Sequence, residues 1–231
     1  MQRHVVVTAI DRPSREVVDA LGAAGVATVH EAMGRTGLLG AAVQARQSGR
    51  TLAGAAVTVS SHPGDNLMIH AAVEQCRPGD VLVVTTTSPS TDGMFGELLA
   101  TSLRAHGVLG LITDAGVRDL RELREMDFPV WSRAVSAEGT VKASPGSVNV
   151  PVVCAGRLVH PGDVVIADDD GVVVVPRGQA PAVLESSQAR LAAEAQKRKQ
   201  LADGVLGLDL YSLRAVLDRL GVEYVERLDE T

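Results

Sequence analysis

Aromatic side chains are scarce, with one tryptophan, two tyrosines and two phenylalanines in 231 residues, and acidic residues outnumber basic ones to leave a formal charge of −6. That balance argues against a nucleic-acid partner, which needs a basic footprint and, for single strands, rings on which bases stack. The basic cluster Lys197-Arg198-Lys199 reads as a solvated helix face. Cysteine is equally sparse. Cys76 and Cys154 show no metal-ligand spacing, so both are expected as buried free thiols and not as a disulfide or a nucleophile. No run approaches the roughly 20 apolar residues of a membrane helix. Met1 to Ile10 lacks the charged-then-apolar plan of a secretory signal, so the cytoplasm is the expected compartment.

What is present is a chain that is 45% hydrophobic and long enough for one sizeable core. Short β-branched runs alternate with amphipathic stretches. Ser14 to Ala24 reads as a helix, and Thr28 with Glu31 is a capping-box pattern opening a second. Thr51 to Ser60 and Val81 to Thr86 read as strands, with the turn 62–66 capping a helix from Leu67 to Cys76. Phe128 to Ser132, Val150 to Ala155, Asp163 to Ala167 and Val172 to Val175 are further strands, and 134–149 is an irregular excursion. Asp169-Asp170-Gly171 reads as a tight turn, and Trp131 and His30 as structural residues. Pro181 to Ala202 is a long helix, and Asp209 can cap a last one carrying Leu210, Leu213, Leu217 and Leu220. These amount to an α/β fold with a mixed sheet and extra C-terminal helices.

One stretch carries more chemistry than the others. Thr87 to Gly93 is loop-like, and Gly96-Glu97-Leu98-Leu99 then opens a helix running to His106, with Gly107 as its cap. The first N–H groups of a helix have no partner within it, so such a start can hold a carboxylate, and Gly96 permits close approach. Downstream, Val108 to Thr113 reads as a strand and Asp114-Ala115-Gly116 as a turn. A helix over Val117 to Glu125 then carries Arg118 and Asp119 just past the strand's C-terminal end. A guanidinium there can fork onto a carboxylate, and one carboxylate suffices for Mg²⁺, which keeps most of its waters. Taken alone, the commoner role of such an Arg-Asp pair is to cap the second helix.

The GELL tetrapeptide, the twenty residues between Glu97 and Arg118, and the RDLRE run ending at Glu122 resemble the signature of the 4-hydroxy-4-methyl-2-oxoglutarate / 4-carboxy-4-hydroxy-2-oxoadipate aldolases. These are class II pyruvate aldolases in the superfamily of the regulator of ribonuclease activity A. The likeness extends to 28–38, 145–151, 161–165 and 168–172, nearly the whole chain. It implies a β/β/α arrangement resembling the swivelling phosphohistidine domain, one aldolase domain over 1–231, and a helical extension over 178–231 used in subunit packing. It also implies homotrimers or homohexamers with sites between subunits.

The implied activity is metal-dependent retro-aldol cleavage of 4-carboxy-4-hydroxy-2-oxoadipate or 4-hydroxy-4-methyl-2-oxoglutarate. Pyruvate is released together with oxaloacetate or a second pyruvate, and oxaloacetate decarboxylation is a secondary activity. By the same resemblance Asp119 holds Mg²⁺ or Mn²⁺, the N–H groups of Leu98 and Leu99 beside Gly96 hold the substrate carboxylate, Arg118 stabilises enolate charge, and Glu97 orients a water that moves protons. Lysine chemistry is disfavoured, because Lys197 and Lys199 lie in a charged helix and Lys142 in a polar loop. One position departs from the family: its Gly-Glu-Leu-Gly stretch, whose Glu aids proton transfer in the neighbouring subunit, is Gly204-Val205-Leu206-Gly207 here. The alternative is a non-catalytic, ribonuclease-regulator-like module that docks on proteins.

Overall fold

The structure is a computed structural model that describes residues 4–227, so the first three residues of the leader reading and the last four of the C-terminal extension lie outside the described residues. In chain order the elements are α1 (Arg15–Ala24), α2 (Val26–Ala32), β1 (Gln44–Ala45), β2 (Leu52–Ser61), α3 (Leu67–Val73), β3 (Asp80–Thr86), β4 (Gly93–Phe95), α4 (Glu97–Ala105), β5 (Leu111–Val117), α5 (Leu120–Glu125) and β6 (Val130–Val135). There follow β7 (Ser147–Val148), β8 (Val152–Cys154), β9 (Arg157–Val159), β10 (Val164–Asp168), β11 (Gly171–Val175), α6 (Ala180–Ala202), α7 (Gly207–Leu210) and α8 (Arg214–Arg219). Two compact units divide the chain within α6, one ending at Ser187 and the other beginning at Gln188.

A mixed sheet dominates the first unit, in the order β1-β6-β5-β3-β2-β10-β11, with β4 on β5 and β7 on β2. Its centre is parallel, β2 with β3 and β3 with β5, and β10 joins antiparallel to β2 and β11. The mixed α/β architecture expected from the sequence is therefore what the chain adopts. Central strands are buried on both faces, which explains why they read as continuous apolar runs. Along β3, Leu82 and Val84 enter one core with Leu99, Leu103 and Phe128, whereas Val81 and Val83 enter a second with Ile112, Trp131 and Cys154. A third cluster joins Val18, Leu21 and Val29 of the first two helices to Ile166 and Val173.

Several local expectations give way to tertiary contacts. Thr28 lies inside α2 and does not cap it; Gly25 holds that position, and the Val26 N–H is bound by the Asp168 carboxylate at 2.9 Å. Asp114-Ala115-Gly116 is not a turn. It lies inside β5, whose register with β6 shifts between Thr113 and Gly116, an irregularity of the β-bulge type that keeps the strand running. Hence α5 starts at Leu120 and not at Val117. α3 stops at Val73, short of Cys76, and the last predicted helix is two short ones, because Asp209 binds the Arg214 guanidinium instead of capping a helix. Both cysteines are free, Cys154 buried and Cys76 partly so.

Candidate functional site

Gly96 is the N-cap of α4, in extended backbone, and its place is dictated by crowding. A Cβ there would come within 2.3 Å of Asp119 Oδ2 and 3.0 Å of Arg118 Cγ, so only glycine lets the helix start and the Arg118-Asp119 turn meet. Asp119 Oδ2 accepts from the Glu97 N–H at 3.1 Å and from Arg118 Nε at 3.3 Å. Asp119 itself adopts the left-handed conformation, with φ 58°, which an Asp tolerates better than most side chains. That conformation lets β5 end and α5 begin with only Arg118 and Asp119 between them, the Arg118 N–H bound to Phe95 O at 2.8 Å. The candidate metal ligand and the helix start are thus fastened to each other.

The N–H groups of Leu98 and Leu99 stand at positions that have no intrahelical acceptor. Both residues line a cavity of about 190 Å³ whose walls include Gly96, Arg118 and Asp119, together with Asn66, His70, Thr140 and Lys142. A second cavity of about 250 Å³, lined by Val135, Ser136 and Ala137, meets the first at Arg118 and Asp119. Gly96, Leu98, Leu99, Arg118 and Asp119 are therefore brought together as the sequence suggested. The Glu97 side chain is not among the residues lining the cavity: its Oε1 accepts from Thr101 Oγ1 at 2.8 Å, and only its backbone N–H reaches Asp119. Glu122 pairs with Arg121 at 2.6 Å on α5, also away from the cavity wall.

Sequence reading passed over Asn66. It is 8% exposed, its Nδ2 donates to Met94 O at 3.2 Å, and its Oδ1 is buried with no partner. An acceptor left in that state costs about 1–3 kcal/mol unless a ligand satisfies it. The residue before a helix in a Pro-Gly-Asp-Asn turn was the available signal, but only the fold shows that it lines the same cavity. Next to it, Asp65 accepts from Leu67 N, Ala143 N and Ser144 N at 2.9, 2.8 and 2.6 Å. These bonds outweigh the burial that opposes them, and hold the Asp65 carboxyl below the usual range. The loop carrying Thr140 and Lys142 is tied down by that carboxylate.

No group of three or more His, Cys, Asp or Glu side chains suited to a metal occurs among the described residues. The residues nonetheless fit a hard cation held mainly by water. Asp119 has Oδ1 without a hydrogen-bond partner among the described residues, and it lines the cavity where water can complete a coordination shell.

An α/β protein with a helix start fastened to an Arg-Asp pair beside a small cavity is the class these features define. The chain belongs to the RraA-like family, described as Aldolase/RraA, whose model matches residues 16–174. It is 28% identical over 131 residues to a protein of Halalkalibacterium halodurans named "Putative 4-hydroxy-4-methyl-2-oxoglutarate aldolase", covering 57% of this chain and 62% of that one. A Pseudomonas fluorescens protein of the same name is 32% identical over 96 residues, covering 42% and 59%. The chain thus spans about three-fifths of the length of these curated relatives. Among solved structures, Streptomyces coelicolor RraAS2, described as an unusual member of the RNase ES inhibitor RraA protein family, matches with a TM-score of 0.72 at 31% identity, covering 82% of this chain and all of that one.

Proposed function

We propose that the protein cleaves a 4-hydroxy-2-oxo acid, 4-carboxy-4-hydroxy-2-oxoadipate or its 4-methyl analogue, by a divalent-metal-dependent retro-aldol reaction that releases pyruvate. The observation that carries this reading is that one small cavity is lined by the α4-start residues Gly96, Leu98 and Leu99, by the Arg118-Asp119 pair, and by Asn66 and Lys142. Mg²⁺ or Mn²⁺, held by Asp119 and water, would supply a Lewis acid that polarises the keto oxygen of the substrate. The Leu98 and Leu99 N–H groups bind the C1 carboxylate, where the positive end of the α4 dipole favours it. The Arg118 guanidinium faces the oxygen on which negative charge grows as the carbon-carbon bond breaks. Asn66 Oδ1 accepts from a substrate hydroxyl or a water and holds it in register. Because loss of CO₂ from oxaloacetate develops charge on the same oxygen, oxaloacetate decarboxylation is a second activity of this site.

Proton transfer is where this chain departs from the family it belongs to. Val205 has no titratable group, and the Asp209 carboxylate is committed to Arg214. Asp203 or water alone is left to move the proton, which lowers rate without touching the cradle. Assembly into trimers or hexamers with sites between subunits goes with the same proposal.

The test is pyruvate formation, coupled to lactate dehydrogenase, from 4-carboxy-4-hydroxy-2-oxoadipate and from oxaloacetate, with Mg²⁺ and again with EDTA. Metal-dependent pyruvate from the first substrate is expected. The second reading, a protein-docking regulator of ribonuclease, draws support from the likeness to RraAS2. Absence of turnover on both acids, together with capture of a ribonuclease, would establish it instead.

A further inference from the structure

We propose that residues 4–12 act as a detachable strap: they lie along β7 as an outer strand, and their release loosens the 138–149 segment, which supplies Thr140 and Lys142 to the small cavity. β7 is two residues long and pairs with β2 along one edge. The strap closes its other edge. The Val5 N–H donates to Ser147 Oγ at 3.1 Å, the Val148 N–H to Val5 O at 2.9 Å and the Val7 N–H to Val148 O at 3.1 Å. Asn149 Nδ2 adds a bond to Val7 O at 2.8 Å. At the far end Arg12 forks onto the buried Asp80, with Nε and Nη2 each donating at 2.8 Å.

Polar bonds hold the strap more than buried surface does. Ile10 packs against the core, but Val6, Val7, Thr8, Ala9 and Asp11 are all exposed. A segment with few buried apolar contacts and with hydrogen bonds open to water belongs to the low-stability end of a structure, so it opens well before β2, β3 and β5. The opening does not stop at β7. Asn149 is 4% exposed, adopts the left-handed conformation with φ 56°, and has a buried Oδ1 without a partner. Without Val7 O its Nδ2 would be buried and unmatched as well, a state that folded chains avoid, so the residue turns about its N–H bond to Thr58 O. Only Pro145 and Gly146 separate β7 from Ser144. The Pro145 ring fixes its φ, and Gly146 is pressed so closely on Ser60 O that a Cβ would collide with it. With no slack between them, a shift of β7 passes to the Ala143 and Ser144 N–H groups on Asp65 and to the Val141 N–H on Gly64 O.

Amide hydrogen exchange on the full chain, resolved residue by residue by NMR, tests this. No substrate is present, so the result stands apart from the reading of the cavity as a 2-oxo acid site. Val7→Pro removes one donor from the strap at an exposed position, whereas Val7→Leu changes the side chain and keeps the N–H. In Val7→Pro, exchange should quicken by about fivefold or more at Val148, the scale of one hydrogen bond, and also at Val141, Ala143 and Ser144, which the strap does not touch. Val7→Leu should match wild type within about twofold throughout, and the core amides of Val83 and Ile112 should do so in both variants. Quickening confined to Val148 would overturn the inference, by making residues 4–12 a plain edge strand. An equal rise at Val83 and Ile112 would overturn it too, by making the strap part of the global unfolding unit. So would unchanged exchange in Val7→Pro, or a Val7→Leu variant that behaved like it.

Discussion

The larger hollow on this protein is not its candidate site, and comparing the two shows why. A cavity of about 870 Å³ lies among Arg46, Arg50, Arg124 and Asp169, more than four times the volume of the one beside Gly96. Yet its three arginines and Asp169 are answered from within. Arg46 donates to Ser132 Oγ and O, Arg50 pairs with Asp127 at 2.9 Å, Arg124 donates twice to Arg46 O, and Asp169 takes the Gly49 N–H. Residues lining the smaller cavity include Asn66, whose buried Oδ1 has no donor, Leu98 and Leu99, whose N–H groups have no intrahelical acceptor, and Lys142, which has no counterion among the described residues. Unsatisfied polar groups in a fixed arrangement, more than volume, mark where a ligand completes a structure.

The comparison breaks first at Arg118 and Asp119. Arg118→Ala should lower pyruvate release by about 10²–10³-fold, the cost of removing one preorganised charge-stabilising donor. Asp119→Ala should abolish activity and metal binding together, read by calorimetric metal titration. Unchanged metal affinity would remove Asp119 from its role. Gly96→Ala should come next. The added carbon would sit 2.3 Å from Asp119 Oδ2, so the carboxylate must move. A displacement of this order costs about 10²-fold in kcat/KM, with the far-ultraviolet spectrum unchanged. Wild-type activity in that variant would mean the fastening of Asp119 to α4 is irrelevant.

How much of this was readable beforehand depends on how far apart the partners stand. Local pattern put Gly96, Leu98 and Leu99 at a helix start and Arg118 and Asp119 past a strand end, but by itself it favoured plain helix caps there; the resemblance to the aldolases made them a candidate site. The core strands were legible because two buried faces leave an uninterrupted apolar run. Asn66 and Lys142 were not legible as a pair, since the loop of the second is held by a carboxylate 78 positions earlier in sequence. The capping of α2 failed for the same reason, its donor being satisfied by Asp168 from 142 positions away. Glu97 was expected to serve the site through its side chain, but a hydroxyl one helical turn on binds that carboxylate and leaves the backbone N–H to do so.

A smaller effect is expected from the clamp that carries the Lys142 loop. Asp65→Asn replaces an oxygen accepting the Ala143 and Ser144 N–H groups with an amide that matches them in only one orientation. Loss of about 1–3 kcal/mol of stability, read by urea denaturation, is expected for one buried polar group left unmatched. The pH dependence has a definite sign. The folded value of Asp65 lies below its unfolded value near 3.9, so the clamp contributes fully above about pH 4 and is lost as pH falls through the folded value. In Asp65→Asn that acid-limb loss should shrink. An unchanged acid limb would assign it to other carboxylates.

The least effect of all should follow from a substitution in the large cavity, and this sharpens the comparison most. Arg124 donates through Nε and Nη2 to Arg46 O, both at 3.2 Å, and is exposed. Truncating it to alanine removes two bonds at a site open to water, where the freed carbonyl is rehydrated, so stability should change by no more than about 1 kcal/mol. Arg124 is absent from the wall of the small cavity, although its helix begins next to Asp119. Pyruvate release should therefore stay within about twofold of wild type. A tenfold loss would show that the chemistry depends on the satisfied cavity as well as the unsatisfied one, and would end the use of polar satisfaction as the criterion that separates them.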